Sequence, residues 1–128
     1  MLHIFKTRAF VRWAQKSGVA DSELCAAVQE MCRGLVDARL GGGLVKKRVA
    51  LPGRGKSGGA RTLVATNLGD KWFFIHGFAK NEKDNIDQRE LRALQGLASD
   101  LLAFNATQCA ALVAAGSLEE ICHDQVQQ

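Results

Sequence analysis

The basic side chains between Lys46 and Lys80 are the groups in this sequence best suited to chemistry on a phosphate. Residues 44–80 contain eight Lys and Arg residues and a single acid, Asp70, so this stretch carries a net charge of +7. The whole chain carries only +4, because the remaining residues are acidic on balance. Such a concentration of positive charge predicts a polyanionic partner, and nucleic acid is the first candidate.

Seven of these cations surround a turn that is rich in glycine. Guanidinium and ammonium groups bind phosphate oxygens and stabilise the negative charge that develops during phosphoryl chemistry. Glycines let a phosphate backbone approach the turn closely, because they carry no side chain. The seven cations are Lys46, Lys47, Arg48, Arg54, Lys56, Arg61 and Lys80.

The stretch GRGKS within this turn is similar to a nucleotide-binding P-loop. A P-loop requires a glycine five residues before Gly55, and Ala50 occupies that position. It also requires a helix after the turn, whose N-terminus holds the phosphates, whereas the residues after Gly59 have the pattern of a strand. We therefore exclude a nucleoside triphosphatase.

The elements that position these residues follow from the pattern of apolar side chains. The order β-α-α-β-β-β-α-α predicts an α+β fold in one domain, residues 1–128, with 117–128 as a loose tail. Strands are predicted at 3–7, 44–51, 60–66 and 71–79. Helices are predicted at 8–16, from a cap at Asp21 or Ser22 through the stripe ending at Leu35, at 87–104, and from a cap at Thr107 to Gly116.

Short connections between the three middle strands predict an antiparallel meander. Neighbouring strands lie about 5 Å apart, so Arg48, Arg61 and Lys80 are expected to converge on one end or face of the sheet. His76 is the imidazole in this region. Simple alternation places it on the face of the apolar third strand that holds Trp72 and Phe74, which favours a structural role and leaves an acid or base role as the alternative.

The aromatic side chains of the third strand, Trp72, Phe74 and Phe78, are predicted to pack in the core and not to stack on bases. The cysteines form no CxxC pair, which predicts no zinc site and free thiols in a reducing cytoplasm. No stretch approaches the roughly 18 apolar residues of a spanning helix, so we expect a cytoplasmic protein. The four cysteines are Cys25, Cys32, Cys109 and Cys122.

The stretch LVKKRVALPGRGKSGGARTLVA, followed by WFFIHGFAKNEKDNI, closely resembles the RelE/HigB branch of bacterial type II toxins, within the RelE/ParE superfamily. Members of this branch combine a basic strand, a GxGKxGGxR turn and an AKNE-type strand ending. These pieces are Lys47-Arg48, residues 53–61 and residues 79–82 of this chain. The resemblance implies a compact fold in which a twisted antiparallel sheet of about four strands packs against an N-terminal helical hairpin, with C-terminal helices.

The resemblance also implies an activity and a set of partners. Such toxins are ribosome-dependent endoribonucleases that cut mRNA by attack of the ribose 2′-hydroxyl on the adjacent phosphate, without a metal or other cofactor. The implied partners are the ribosome, mRNA and a cognate helix-turn-helix antitoxin, with no membrane. By position, the functional basic residues are Arg48, Lys56, Arg61 and Lys80, with Lys46, Lys47 and Arg54 binding RNA.

One departure from the family pattern affects the assignment of proton transfer. Several relatives use a tyrosine near the C-terminus, and this chain contains no tyrosine. His76 is therefore a candidate acid or base, and Lys56 or Lys80 is another. Two alternatives to the nuclease remain open from the sequence: a ParE-like toxin that inhibits DNA gyrase, and a non-catalytic nucleic-acid-binding module descended from a toxin.

Overall fold

The computed structural model describes residues 2–53, 55–79 and 86–123, with only the backbone described at 55–57. Within these ranges the chain has the predicted α+β fold, with four helices and six strands. The elements are β1 (His3–Thr7), α1 (Arg8–Ser17), α2 (Asp21–Cys32), β2 (Ala38–Gly41), β3 (Leu44–Leu51), β4 (Gly55–Thr66), β5 (Lys71–Ala79), α3 (Gln88–Ala103), α4 (Ala106–Ala114) and β6 (Leu118–Ile121).

The six strands form a single sheet in the order β2-β3-β4-β5-β1-β6. Strands β3, β4 and β5 are the predicted antiparallel meander. The first strand of the chain, β1, pairs in parallel with β5 and antiparallel with β6. The sheet has two more strands than the four predicted, because β2 and β6 are short edge strands, and the expected tail is wrong for the residues of β6.

Helices α1 and α2 contribute to the core on one face of the sheet. Helix α1 begins with the Thr7 side chain accepting a hydrogen bond from the Phe10 N–H, and it ends at Gly18, whose φ of 79° suits glycine. Helix α2 starts at Asp21 without a side-chain cap, so the predicted cap at Asp21 or Ser22 is wrong. Side chains of both helices and the sheet share this core, among them Phe10, Val28, Val49, Trp72 and Phe74.

Helices α3 and α4 supply the core on the opposite face. Asp87 caps α3 by accepting a hydrogen bond from the Glu90 N–H. Asn105 caps α4 in a reciprocal capping box with Gln108, in place of the predicted Thr107. Apolar side chains of these helices pack against the sheet through a second core, which includes Leu44, Leu63, Phe73, Ile75, Ala98 and Leu101.

The C-terminal strand β6 is held to the rest of the molecule by a disulfide and by ion pairs. Cys25 of α2 and Cys122 are bonded, with 5.8 Å between their Cα atoms, so the prediction of free thiols is wrong for these two. The buried Lys6 ammonium lies 2.7 Å from Asp21 and 3.1 Å from Glu119. Burial alone would lower the pKa of Lys6, but hydrogen bonds and charge from these two carboxylates raise it above its usual value.

No single helix in the described part of the chain is long and apolar enough to cross a membrane. Helices α3 and α4 reach the required length and composition only as a pair, and they are bent by 111° relative to each other.

Candidate active site

Two arginines predicted to converge are direct cross-strand partners. The register of the meander places Arg48 of β3 opposite Arg61 of β4, and Arg61 opposite Phe78 of β5. Residues that oppose each other in adjacent strands lie on the same face of a sheet, so these three side chains form one row. Of the three residues predicted to converge, Arg48 and Arg61 are therefore brought together by the register, and Lys80 lies outside the described residues.

His76 also lies on this face, contrary to the prediction from simple alternation. The β4–β5 register pairs Val64 with Phe74 and Leu63 with His76, which leaves Ile75 as an extra residue in β5. One extra residue reverses the alternation that follows it, so His76 leaves the face of Trp72 and Phe74. Because Leu63 in turn opposes Lys46, His76 and Lys46 share the face that carries the two arginines.

We call this surface the basic face and define it by Lys46, Arg48, Arg61, His76 and Phe78. It adjoins the second core, which the helices cover. His76 is half-buried, and its ring centroid lies 6.0 Å from that of Phe78, at an interplanar angle of 45°. His76 is two residues from the partner of Arg61, a diagonal spacing of about 7–8 Å that a long side chain can bridge.

Arg61 has an unusual hydrogen-bonding state. Its Nη1 atom is buried and has no hydrogen-bond partner among the described residues. A buried donor without a partner costs free energy, and native proteins generally avoid the arrangement. Such an atom is suited to bind an incoming acceptor, and a phosphate oxygen is the acceptor that a guanidinium binds best.

Arg48 is held by a carboxylate that the sequence reasoning did not single out. The Nε atom of Arg48 lies 3.0 Å from Oδ1 of Asp37, and the Arg48 backbone N–H donates to Oδ2 at 2.7 Å. The Arg48 side chain remains 46% exposed, against 23% for Asp37. Asp37 and Arg48 are eleven residues apart in the sequence, with strand β2 between them in the chain, so no local sequence pattern predicted this contact.

Lys47 lies on the opposite face of the sheet from Arg48, its neighbour in β3, and it is buried. Its ammonium is 2.8 Å from the Glu30 carboxylate of α2, and it donates to the Leu35 carbonyl at 2.8 Å. Only 5% of Lys47 is exposed. Burial and this pairing leave its ammonium inaccessible to RNA, so we remove Lys47 from the predicted RNA-binding set.

Three other predicted residues have no described side chain. Arg54 and Lys80 lie outside the described residues, and Lys56 is in β4, where the backbone alone is described. The strand at Gly55–Thr66 agrees with our exclusion of a P-loop, because a strand follows the turn in place of a helix.

The aromatic residues of β5 are buried, as predicted. Trp72 and Phe74 are fully inaccessible and Phe78 is 4% exposed, which leaves them no free ring face for a base. Between His76 and Phe78, Gly77 leaves space for the ring of Trp13 from α1, because a Cβ at this position would overlap that ring. Trp13 therefore supports the strand from behind the basic face.

Nothing in the described ranges brings together three or more His, Cys, Asp or Glu side chains in a way that could hold a metal ion. A cavity of about 220 Å³ lies elsewhere, between α4 and the first residues of β1 and β5, and His3, Asp70 and Glu120 are among its lining residues. The cations of the basic face do not line it.

A row of cations on one face of a sheet is an electrostatic surface suited to binding a polyanion. The chain belongs to the RelE family, described as the RelE toxin of the RelE/RelB toxin–antitoxin system, whose pattern it matches over residues 2–121. Membership makes it the toxin of a toxin–antitoxin pair and implies a cognate antitoxin. A search of curated proteins found no significant match to the chain.

Proposed function

We propose that this toxin is an endoribonuclease that cleaves mRNA on the ribosome and thereby stops translation. The observation that carries the proposal is the buried, unpartnered Nη1 atom of Arg61, in a row with Arg48 and diagonal to His76. A donor that has no partner among the described residues and is on the same face as a second arginine suits a site for a phosphate whose charge increases during reaction.

The proposed reaction needs no metal. The ribose 2′-oxygen attacks the adjacent phosphorus, the bond from phosphorus to the 5′-oxygen breaks, and the products are a cyclic phosphate and a free 5′-hydroxyl. Arg61 and Arg48 stabilise the charge on the non-bridging oxygens. His76 takes the proton of the 2′-hydroxyl or supplies one to the 5′-oxygen, and Lys56 or Lys80 is the candidate for the other transfer.

The other basic residues have roles in holding RNA. Lys46 lies on the basic face and would bind the phosphate backbone, and we assign the same role to Arg54 from its place in the sequence motif. The substrate is ribosome-bound mRNA, so the ribosome is a partner and the site of action is the cytoplasm. The antitoxin is expected to carry a helix-turn-helix domain and to cover the basic face with acidic or apolar residues.

The test is cleavage of mRNA on purified translating ribosomes, with 5′ ends mapped by primer extension. We expect new ends with the wild-type protein and a loss of about a hundredfold or more in rate for Arg61→Ala. Arg39→Ala is the matched control: Arg39 is exposed on β2 and opposes Val45, which points into the other core, and it should retain full activity.

Intact mRNA after incubation with the wild-type protein would overturn the nuclease proposal. Inhibition of supercoiling in a purified gyrase reaction would then identify a ParE-like target. Salt-sensitive RNA binding without cleavage and without toxicity on expression would identify a non-catalytic module.

A further inference from the structure

We propose that Asp37 is a positioning residue for the nuclease reaction: it holds the Arg48 guanidinium at the basic face in the orientation that the transition state requires. This inference rests on the proposed function. It concerns a residue outside the basic motif, in the connection between α2 and β2.

The contact geometry fixes Arg48 at two points. One carboxylate oxygen of Asp37 accepts the Arg48 backbone N–H, and the other accepts the Nε–H of the same residue, at 2.7 and 3.0 Å. A side chain tethered at both its backbone and its head group loses most of its rotational freedom. The guanidinium is thus ordered before any substrate arrives, which reduces the entropy lost on binding.

Asp37 is itself fixed to the strand that it serves. Its backbone N–H donates to the Lys46 carbonyl of β3 at 2.9 Å, and the next residue, Ala38, is the register partner of Lys46. The carboxylate and its target are therefore linked through one short ladder between β2 and β3. The Asp37 carboxylate is therefore less mobile than it would be in an open loop.

Asp37 also reduces the electrostatic repulsion between two arginines. Arg48 and Arg61 are directly opposed cations, and like charges at opposed positions of a sheet repel each other. The carboxylate beside Arg48 offsets that repulsion. Without it, Arg48 would be free to move away from Arg61, although the net positive charge of the face would be greater.

Loss of the Asp37 carboxylate should therefore have opposite effects on RNA binding and on catalysis. Removing the Asp37 charge makes the face more attractive to RNA, so the apparent KM for ribosome-bound mRNA should stay the same or fall. Loss of orientation should lower kcat, and misplacement of a catalytic group by about 1 Å can cost up to about a hundredfold. A role in folding alone would lower the melting temperature and the amount of active protein, and it would leave kcat per folded molecule unchanged.

The experiment is a double-mutant cycle with Asp37→Asn, Arg48→Ala and the double variant, using kcat and KM for cleavage of ribosome-bound mRNA. We expect Asp37→Asn to lower kcat by about tenfold or more without raising KM. We expect the double variant to be no slower than Arg48→Ala, because Asp37 acts only through Arg48. Asp100→Asn, exposed on α3, makes the same charge change and should alter neither constant.

Three results would overturn the inference: Asp37→Asn with wild-type kcat, additive losses in the double variant, or an Arg48→Ala variant as active as the wild type. Melting temperatures of all variants show whether any loss is due to unfolding. If the wild-type protein leaves mRNA intact, the proposed function fails and this inference fails with it. If the wild type cleaves and Arg61→Ala does not, a negative result at Asp37 concerns this inference alone.

Discussion

Lys47 and Arg48 are neighbours in one strand, yet they lie in opposite environments. The Lys47 ammonium is buried between β3 and α2 and is neutralised by Glu30, whereas the Arg48 guanidinium is 46% exposed on the basic face. Alternation along a strand is sufficient to separate them, because consecutive side chains point to opposite faces. A dense run of positive charge is therefore not one functional unit, and its members must be assigned face by face.

The two faces also differ in how well their polar atoms are satisfied. On the face packed by α1 and α2, the ammonium of Lys47 has a carboxylate and a carbonyl as partners, and the Thr62 hydroxyl donates to the Lys47 carbonyl at 2.8 Å. On the basic face, the Nη1 atom of Arg61 is buried without a partner in the described structure. Polar atoms left unsatisfied in this way are concentrated at functional sites, where a ligand completes them.

The largest expected effect is on stability, from Lys47→Ala. Removal of the buried ammonium breaks its ion pair with Glu30 and its hydrogen bond to the Leu35 carbonyl, so we expect the free energy of unfolding to fall by about 3–5 kcal/mol. Cleavage per folded molecule should not change. Lys46→Ala, one residue away on the basic face, is the matched control and should alter stability by less than about 0.5 kcal/mol.

Chemical denaturation of both variants, together with cleavage rates, measures this contrast. A Lys47→Ala protein that is as stable as the wild type but cleaves slowly would mean that the two faces are not separated as described.

The next effect is that of the disulfide between Cys25 and Cys122, which joins α2 to the residue that follows β6. It closes a separation of 97 residues, and loss of such a cross-link typically costs about 2–4 kcal/mol. Reduction with dithiothreitol should lower the melting temperature of the wild type. Cys122→Ser should have the lower melting temperature from the start and show no response to reductant.

Cys32→Ser is the control for this cross-link, because Cys32 is a free, exposed thiol. It should melt and respond to reductant like the wild type. An unreduced wild-type protein that reacts with a thiol reagent at all four cysteines would contradict the cross-link.

The smallest of the three effects is confined to catalysis. His76→Gln removes the imidazole from the basic face while keeping a side chain of similar polarity. A group that transfers a proton in the transition state contributes about a hundredfold or more, so the single-turnover cleavage rate should fall by about that factor, with little change in melting temperature. The plot of cleavage rate against pH should also lose the rise or the fall that is due to the imidazole.

A His76→Gln protein with an unchanged pH profile would remove the imidazole from the proposed mechanism. Other groups would then have to transfer both protons. The difference between the faces of Lys47 and Arg48 does not depend on His76.

The sequence predicted the parts of the fold and site that depend on local pattern. Alternation located β3 and β5, and the short connections predicted the meander that brings Arg48 and Arg61 together. His76 was placed on the wrong face because one extra residue, Ile75, reverses the alternation within an unbroken apolar run. No composition or spacing signals a bulge there.

The remaining misses involve long-range contacts or short elements. Strands β2 and β6 have four residues each, too few for a clear pattern, and β6 pairs with β1 from the other end of the described chain. The bond between Cys25 and Cys122 joins residues 97 apart, and spacing alone does not specify such a pairing. The sequence did not indicate Asp37, because its contact with Arg48 forms only when β2 pairs with β3.

The position of β1 has a consequence for the synthesis of the protein. Strand β1 is synthesised before the other five strands of this sheet, yet it lies between β5 and β6, and its partner residues in β5 begin at Lys71. Strands β2 to β5 can pair with one another as they emerge, but β1 must wait for partners made much later, which is a slow, non-local step. A nascent chain that stops before β6 leaves β1 as an open edge, so this six-stranded sheet is complete only after β6 has been synthesised.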